Sequence, residues 1–88
     1  MISVERVDDK TYNVTVDGLT TTQHKVTVNP SYHEKLTGGR VAPEILIERS
    51  FEFLLERESN SSILQTFDLP VIGRYFPDYE RTIQEMLE

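Results

Sequence analysis

The chain has 88 residues and a net charge of −6, from nine Lys or Arg residues against fifteen Asp or Glu residues. It has no cysteine, which excludes disulfide bonds, thiolate catalysis and cysteine-based zinc sites. Binding to nucleic-acid phosphates needs clustered cations, so the acidic balance and the scattered basic residues argue against a nucleic-acid partner.

A change of pattern near residue 40 predicts the architecture. Before it, apolar and polar residues alternate with a period of two, and after it apolar residues recur at helical spacing. Residues 1–40 carry equal numbers of acidic and basic residues, so the net charge lies in the second half. The pattern predicts one α+β domain spanning residues 1–88. Its parts are a three-stranded antiparallel meander in 1–29, a connecting loop in 30–42 and a helical part in 43–88.

Three runs predict the strands, at 2–7, 11–17 and 21–29; alternation is imperfect in the first, and β-branched residues dominate the second and third. Polar turns separate them, first Asp8-Asp9-Lys10 and then Asp17-Gly18. One face of the second strand and one face of the third are expected to line the core. These faces consist of Tyr12, Val14 and Val16, and of His24, Val26 and Val28.

The segment after Pro30 is predicted to be a connection with one helical turn in its first half, ended by Gly38-Gly39. Gly38, Gly39 and Arg40 precede a helix start, where free amide groups attract anions and an arginine can bind them bidentately. The alternatives are therefore a flexible connection and a site for a small anion or nucleotide. The stretch matches neither a P-loop nor a dinucleotide-binding fingerprint.

The main helix is predicted to run from Pro43 to about Glu58. Its apolar residues cover an arc of roughly 200°, whereas a helix lying on a single sheet needs only about 100°. The helix is therefore expected to be buried between the meander and the C-terminal segment. After it come a short turn over 63–67, a short helix from Asp68 to about Tyr75, and a last helix starting at Pro77.

Two features could form a surface for a protein partner. Glu44, Glu48, Glu52 and Glu56 repeat at four-residue spacing, which is typical of a solvated helix face and also of a docking face for a basic partner. The second feature is an aromatic cluster that either covers the main helix or forms an exposed patch. Its members are Phe67, Tyr75, Phe76 and Tyr79. The predicted partner-binding residues are Glu48, Glu52, Glu56 and Tyr79.

No catalytic or metal-binding constellation is present in the sequence. His24 is predicted to be a hydrogen-bonded core residue and His33 to be solvated, and their spacing fits no metal site. We expect no enzyme activity, no cofactor, no membrane span and a cytoplasmic location. The sequence favours a non-enzymatic interaction or regulatory domain that binds a protein partner or a second copy of itself. The alternative is the anion or nucleotide binder at Gly38, Gly39 and Arg40.

Overall fold

A four-stranded mixed sheet with helices packed on one face forms the fold, which is described for residues 1–88 by a computed structural model. The first three strands are antiparallel, as predicted, and the fourth pairs in parallel with the third. The strands are β1 (Ile2–Arg6), β2 (Thr11–Asp17), β3 (Thr21–Thr27) and β4 (Thr66–Asp68). The helices are α1 (Pro30–Thr37), α2 (Pro43–Leu55), α3 (Val71–Tyr75) and α4 (Tyr79–Met86), and a single 3-10 turn spans Asn60–Ser62.

The residues of the meander that are predicted to face the core are buried in the structure. Val14 lies opposite Val4 on one side and opposite His24 on the other. The apolar face is buried while Asn13 and Lys25 on the other face are exposed. The meander is therefore covered by helices on one face only.

The turn between β1 and β2 is closed by a carboxylate. The Asp8 Oδ1 atom accepts hydrogen bonds from the backbone N–H groups of Lys10 and Thr11, each at 2.9 Å. These bonds, led by the one from Lys10, hold the pKa of Asp8 below its ordinary value. This Asx turn fixes the register with which β2 begins.

The fourth strand corrects the prediction of a turn over 63–67 and of a helix starting at Asp68. The Lys25 N–H donates to Gln65 O at 2.7 Å, and the Leu69 N–H donates to Thr27 O at 2.8 Å. These bonds draw Thr66–Asp68 onto the edge of β3. A strand of three residues is too short to show alternation, so only the tertiary pairing reveals it.

The predicted loop at 30–42 contains an eight-residue helix, α1, and β3 ends at Thr27 rather than at Asn29. Pro30 suits the first turn of α1 because the missing N–H would have no partner there. Gly38 ends the helix in the left-handed conformation, with φ of 64°, and its N–H donates to Glu34 O.

The broad apolar face of α2 is buried as expected, although the helix ends at Leu55 rather than at Glu58. It lies between the sheet on one side and α4 on the other. Past Leu55 the chain turns, because the N–H groups of Arg57 and Glu58 both donate to Leu54 O. None of the helices combines the length and apolar character needed to cross a bilayer. The buried residues of α2 are Leu46, Ile47, Ser50, Phe51, Phe53 and Leu54.

Candidate binding surfaces

The acidic face of α2 is partly neutralised by arginines of the same segment. Arg49 Nη1 lies 3.0 Å from a carboxylate oxygen of Glu48 and 3.0 Å from one of Glu52. Glu56 lies 3.5 Å from Arg57 Nη1. Exposed pairs of this kind stabilise the fold by about 0–1 kcal/mol. Their main effect is to reduce the charge that this face can offer to a basic partner.

Tyr79 is predicted to be a partner-binding residue, but the structure buries it. Its side chain is fully buried, and its ring packs edge-on against Phe53 with centroids 5.3 Å apart. The Ser50 hydroxyl donates to Leu46 O at 2.7 Å, so the Tyr79 hydroxyl donates to Ser50 Oγ at 2.6 Å. Burial raises the pKa of Tyr79 well above its ordinary value. Tyr79 therefore belongs to the core.

The backbone amides of Gly38, Gly39 and Arg40 all donate to oxygen atoms of α1. The N–H of Gly38 donates to Glu34 O at 2.8 Å and that of Gly39 to Thr37 Oγ1 at 3.0 Å. The Arg40 N–H donates to Thr37 O at 3.3 Å. The two glycines have φ of 64° and 75°, which suits the end of α1. Without a change in this turn, an anion could be held here only by side chains.

A polar cleft of about 300 Å³ lies beside this turn and reaches the last turn of α4. Lys35 and Arg40 line it, together with Gln84 and the acidic Glu88. The prediction included Arg40 but neither Lys35 nor Gln84. Only the docking of α4 against α1 brings these side chains together, so no pattern within one segment could have revealed the cleft.

The two histidines hold loops in place and do not converge. His24 is buried, as expected: its Nδ1–H donates to Leu64 O at 2.8 Å and its Nε2 accepts from the Thr22 hydroxyl. His33 is half-buried rather than solvated, because its Nε2–H donates to Val41 O at 2.6 Å. No three His, Asp or Glu side chains converge in a group that could hold a metal ion.

An apolar depression opens between the C-terminal end of α2, the start of β4 and α3. We call it the Leu64–Tyr75 depression, after the two lining residues that are most open to solvent. Leu64 is 47% exposed and Tyr75 is 67% exposed. The enclosed space is about 30 Å³, room for little more than the tip of an apolar side chain. The lining residues are Leu54, Glu58, Ile63, Leu64, Phe67, Val71, Ile72, Tyr75 and Phe76.

The fold fixes the wall of this depression from beneath. The hydrogen bond from the buried His24 holds the Leu64 carbonyl, which keeps the Leu64 side chain at the surface. On the floor, Phe67 stacks at a tilt on Phe51 with ring centroids 6.0 Å apart. A partner would therefore meet a preformed surface, which lowers the entropy cost of binding.

Glu58 is the only charged residue in the depression and makes no ion pair.

The four residues of the predicted aromatic cluster differ in how far they are buried. Phe67 and Tyr79 are core and Phe76 is half-buried, whereas Tyr75 is exposed. Leu64 directly follows Ile63, and two adjacent apolar residues do not show which of them lies in the core and which at the surface.

Comparison of the chain with protein-family models, with curated proteins and with solved structures found no match.

Proposed function

We propose that this chain is a small non-enzymatic interaction domain that binds a protein partner through the Leu64–Tyr75 depression. The supporting observation is that two large apolar side chains stay exposed around an apolar hollow whose walls are fixed by the core. Binding energy at protein interfaces concentrates where an apolar or aromatic anchor enters such a hollow. The absence of cysteine fits a reducing compartment, so we propose a cytoplasmic setting.

The charge around the depression indicates the chemistry of the partner. The unpaired Glu58 carboxylate on its wall favours a cation beside the anchor. We therefore propose a partner that presents an apolar side chain flanked by Lys or Arg. The face formed by Glu48, Glu52 and Glu56 adds long-range attraction to the same partner, weakened by Arg49.

The test compares variants of the depression with a matched surface control. Leu64→Ser and Tyr75→Ser change exposed residues of the depression, and Leu19→Ser changes a fully exposed leucine outside it. The proteins that each immobilised variant retains from a cell extract are identified by mass spectrometry. We expect Leu64→Ser and Tyr75→Ser to lose partners that the wild type and Leu19→Ser retain. Equal recovery by all four proteins would contradict the proposal.

Charge variants distinguish contact at the depression from long-range electrostatic attraction by the acidic face, Glu48, Glu52 and Glu56. Glu58→Gln should weaken binding of a retained partner and make it less sensitive to salt. The triple variant Glu48→Lys/Glu52→Lys/Glu56→Lys should slow association with little change in dissociation. If the triple variant binds with unchanged rates at all salt concentrations, the acidic face has no part in binding.

The alternative function is binding of a small anion or nucleotide at Gly38, Gly39 and Arg40. The polar cleft favours it, because Lys35 and Arg40 both line a space large enough for a small ligand. Since the turn amides are engaged, the anion would be held by the side chains of Arg40 and Lys35, and it would compete with Glu80, whose carboxylate lies 3.3 Å from Lys35 Nζ. Phosphate or a nucleotide at a hundred times its dissociation constant should stabilise the fold by about 2.7 kcal/mol. A melting temperature unchanged by millimolar phosphate and nucleotides would eliminate this function.

A further inference from the structure

Strand β1 forms one edge of the sheet and has a neighbour on one side only. Asp17 N–H donates to Met1 O at 2.9 Å, and Val7 N–H donates to Thr11 O at 2.8 Å. These bonds put the odd-numbered residues of β1 at the positions that bond to β2. Alternation then turns the N–H and C=O groups of Ile2, Val4 and Arg6 away from the sheet.

This edge differs from the opposite one. β4 has only three residues and is followed closely by Pro70, features by which proteins block further strand pairing. β1 has five residues and contains neither proline nor lysine. Its apolar residues Ile2 and Val4 pack against the core but remain half-exposed. The β1 edge is therefore open to pairing with another strand.

We propose that β1 is a self-association edge, at which two copies of this chain pair their β1 strands antiparallel about Val4 and join their sheets into one. The surface is separate from the Leu64–Tyr75 depression, so the proposal does not depend on the function assigned to that depression. We choose a second copy as the occupant because the residues of β1 complement one another in this register.

The pairs that result are favourable on both faces of the sheet. On the core face Val4 meets Val4 of the other copy, and Ile2 meets the aliphatic stem of Arg6. On the outer face Ser3 lies opposite Glu5, where its hydroxyl can donate to the carboxylate. The exposed side chains of Met1 (85%) and Val7 (52%) also face each other, so each would be partly covered in the dimer.

Neighbouring registers pair the residues of the two β1 strands less favourably. A shift that centres the pair on Glu5 sets the two Glu5 carboxylates opposite each other, and like charges directly opposed are destabilising. A shift that centres it on Ser3 leaves fewer of the outward N–H and C=O groups paired. The register about Val4 forms about six hydrogen bonds, two for each of its three hydrogen-bonded pairs. Since the contact is limited to one strand, the dimer should be weak and reversible.

Hydrogen exchange measured at low and high protein concentration tests the pairing directly. The amides of Ser3 and Glu5 should be protected at both concentrations because they bond to β2. The amides of Ile2, Val4 and Arg6 should gain protection only at high concentration, in parallel with dimer formation seen by sedimentation. A chain that stays monomeric at millimolar concentration would overturn the proposal. So would a dimer that leaves these three amides unprotected.

Charge variants on the outer face test the register without touching the core. Ser3→Glu places like charges opposite Glu5 twice in the symmetric dimer and should weaken it about fivefold, whereas Ser3→Lys should strengthen it by a similar factor. The double variant Ser3→Glu/Glu5→Lys places opposite charges across the axis and should restore dimerisation. Gln23→Glu, on the exposed face of β3, is the control and should leave the dimer unchanged. Equal weakening by Ser3→Glu and by Gln23→Glu would refute the register.

Discussion

Removing either hydroxyl of the buried Ser50–Tyr79 pair should lower the free energy of unfolding by different amounts. In Tyr79→Phe the Ser50 hydroxyl still donates to Leu46 O, so only one hydrogen bond is lost. The expected cost is about 1 kcal/mol. In Ser50→Ala the Tyr79 hydroxyl stays buried without a partner, which costs about 1–3 kcal/mol. The higher helix propensity of alanine offsets about 0.5 kcal/mol of this loss in the free energy of unfolding.

The double variant Ser50→Ala/Tyr79→Phe tests whether the two hydroxyls stabilise the fold as a pair. It removes both hydroxyls and leaves no unpaired donor, so it should be destabilised less than Ser50→Ala alone. The two substitutions should therefore be non-additive by about 1 kcal/mol.

Urea unfolding of the four proteins measures these differences, provided that the dependence on urea concentration stays the same. For a domain of this size, about 1 kcal/mol corresponds to a shift in melting temperature of roughly 4–8 °C. If the double variant loses as much stability as the two single variants together, the hydroxyls do not act as a pair and the reasoning is refuted.

Three further predictions concern the rest of the core and its turns. His24→Ala should cost about 2–4 kcal/mol, because it removes a buried ring and the donor to Leu64 O, and hydrogen exchange should show β4 loosening first. Persistent protection of the Leu69 amide in that variant would contradict the role given to His24. Gly38→Ala should destabilise by about 1 kcal/mol because φ is 64°, whereas Gly73→Ala, within α3 and with open space around its Cβ, should stabilise by about 0.4–1 kcal/mol. Thermal melting of both variants checks this, and equal shifts in the same direction would refute it. Burial raises the pKa of Tyr79 above the ordinary value of 10.0, so the stability due to its neutral phenol is fully present below pH 10 and is lost as pH rises beyond it. Urea unfolding measured from pH 8 to 11 should therefore show that the free energy of unfolding falls less steeply with pH in Tyr79→Phe than in the wild type, by up to about 1.4 kcal/mol per pH unit. Identical slopes for the two proteins would count against a buried phenol.

The sequence carried enough information for the meander and for the broad buried face of α2. Alternation around Val14 and Val26 reflects a periodicity that depends only on which face meets the core. The fourth strand could not be predicted in this way. Its three residues pair with a strand far upstream, and the pairing depends on how the helices between them fold back.

The candidate surfaces were predicted less well for a related reason. Tyr79 and Ile83 occupy one face of α4, and spacing alone does not show whether that face is covered. Leu64 and Glu58 lie in a stretch with no periodicity, yet both line the depression, where His24 holds the Leu64 carbonyl. Exposure is a property of the assembled fold, so residue pattern predicts it poorly.

The parallel pairing of β4 also has a consequence for the order in which the molecule assembles. The meander involves only neighbouring segments and can close early, whereas β4 must wait until about forty residues of intervening chain have been arranged. Until then the outward backbone groups of Lys25 and Thr27 on β3 have no strand beside them. A nascent or truncated chain that lacks Thr66–Asp68 would therefore expose the unpaired edge of β3. Aggregation should be greatest for chains that end just before that segment.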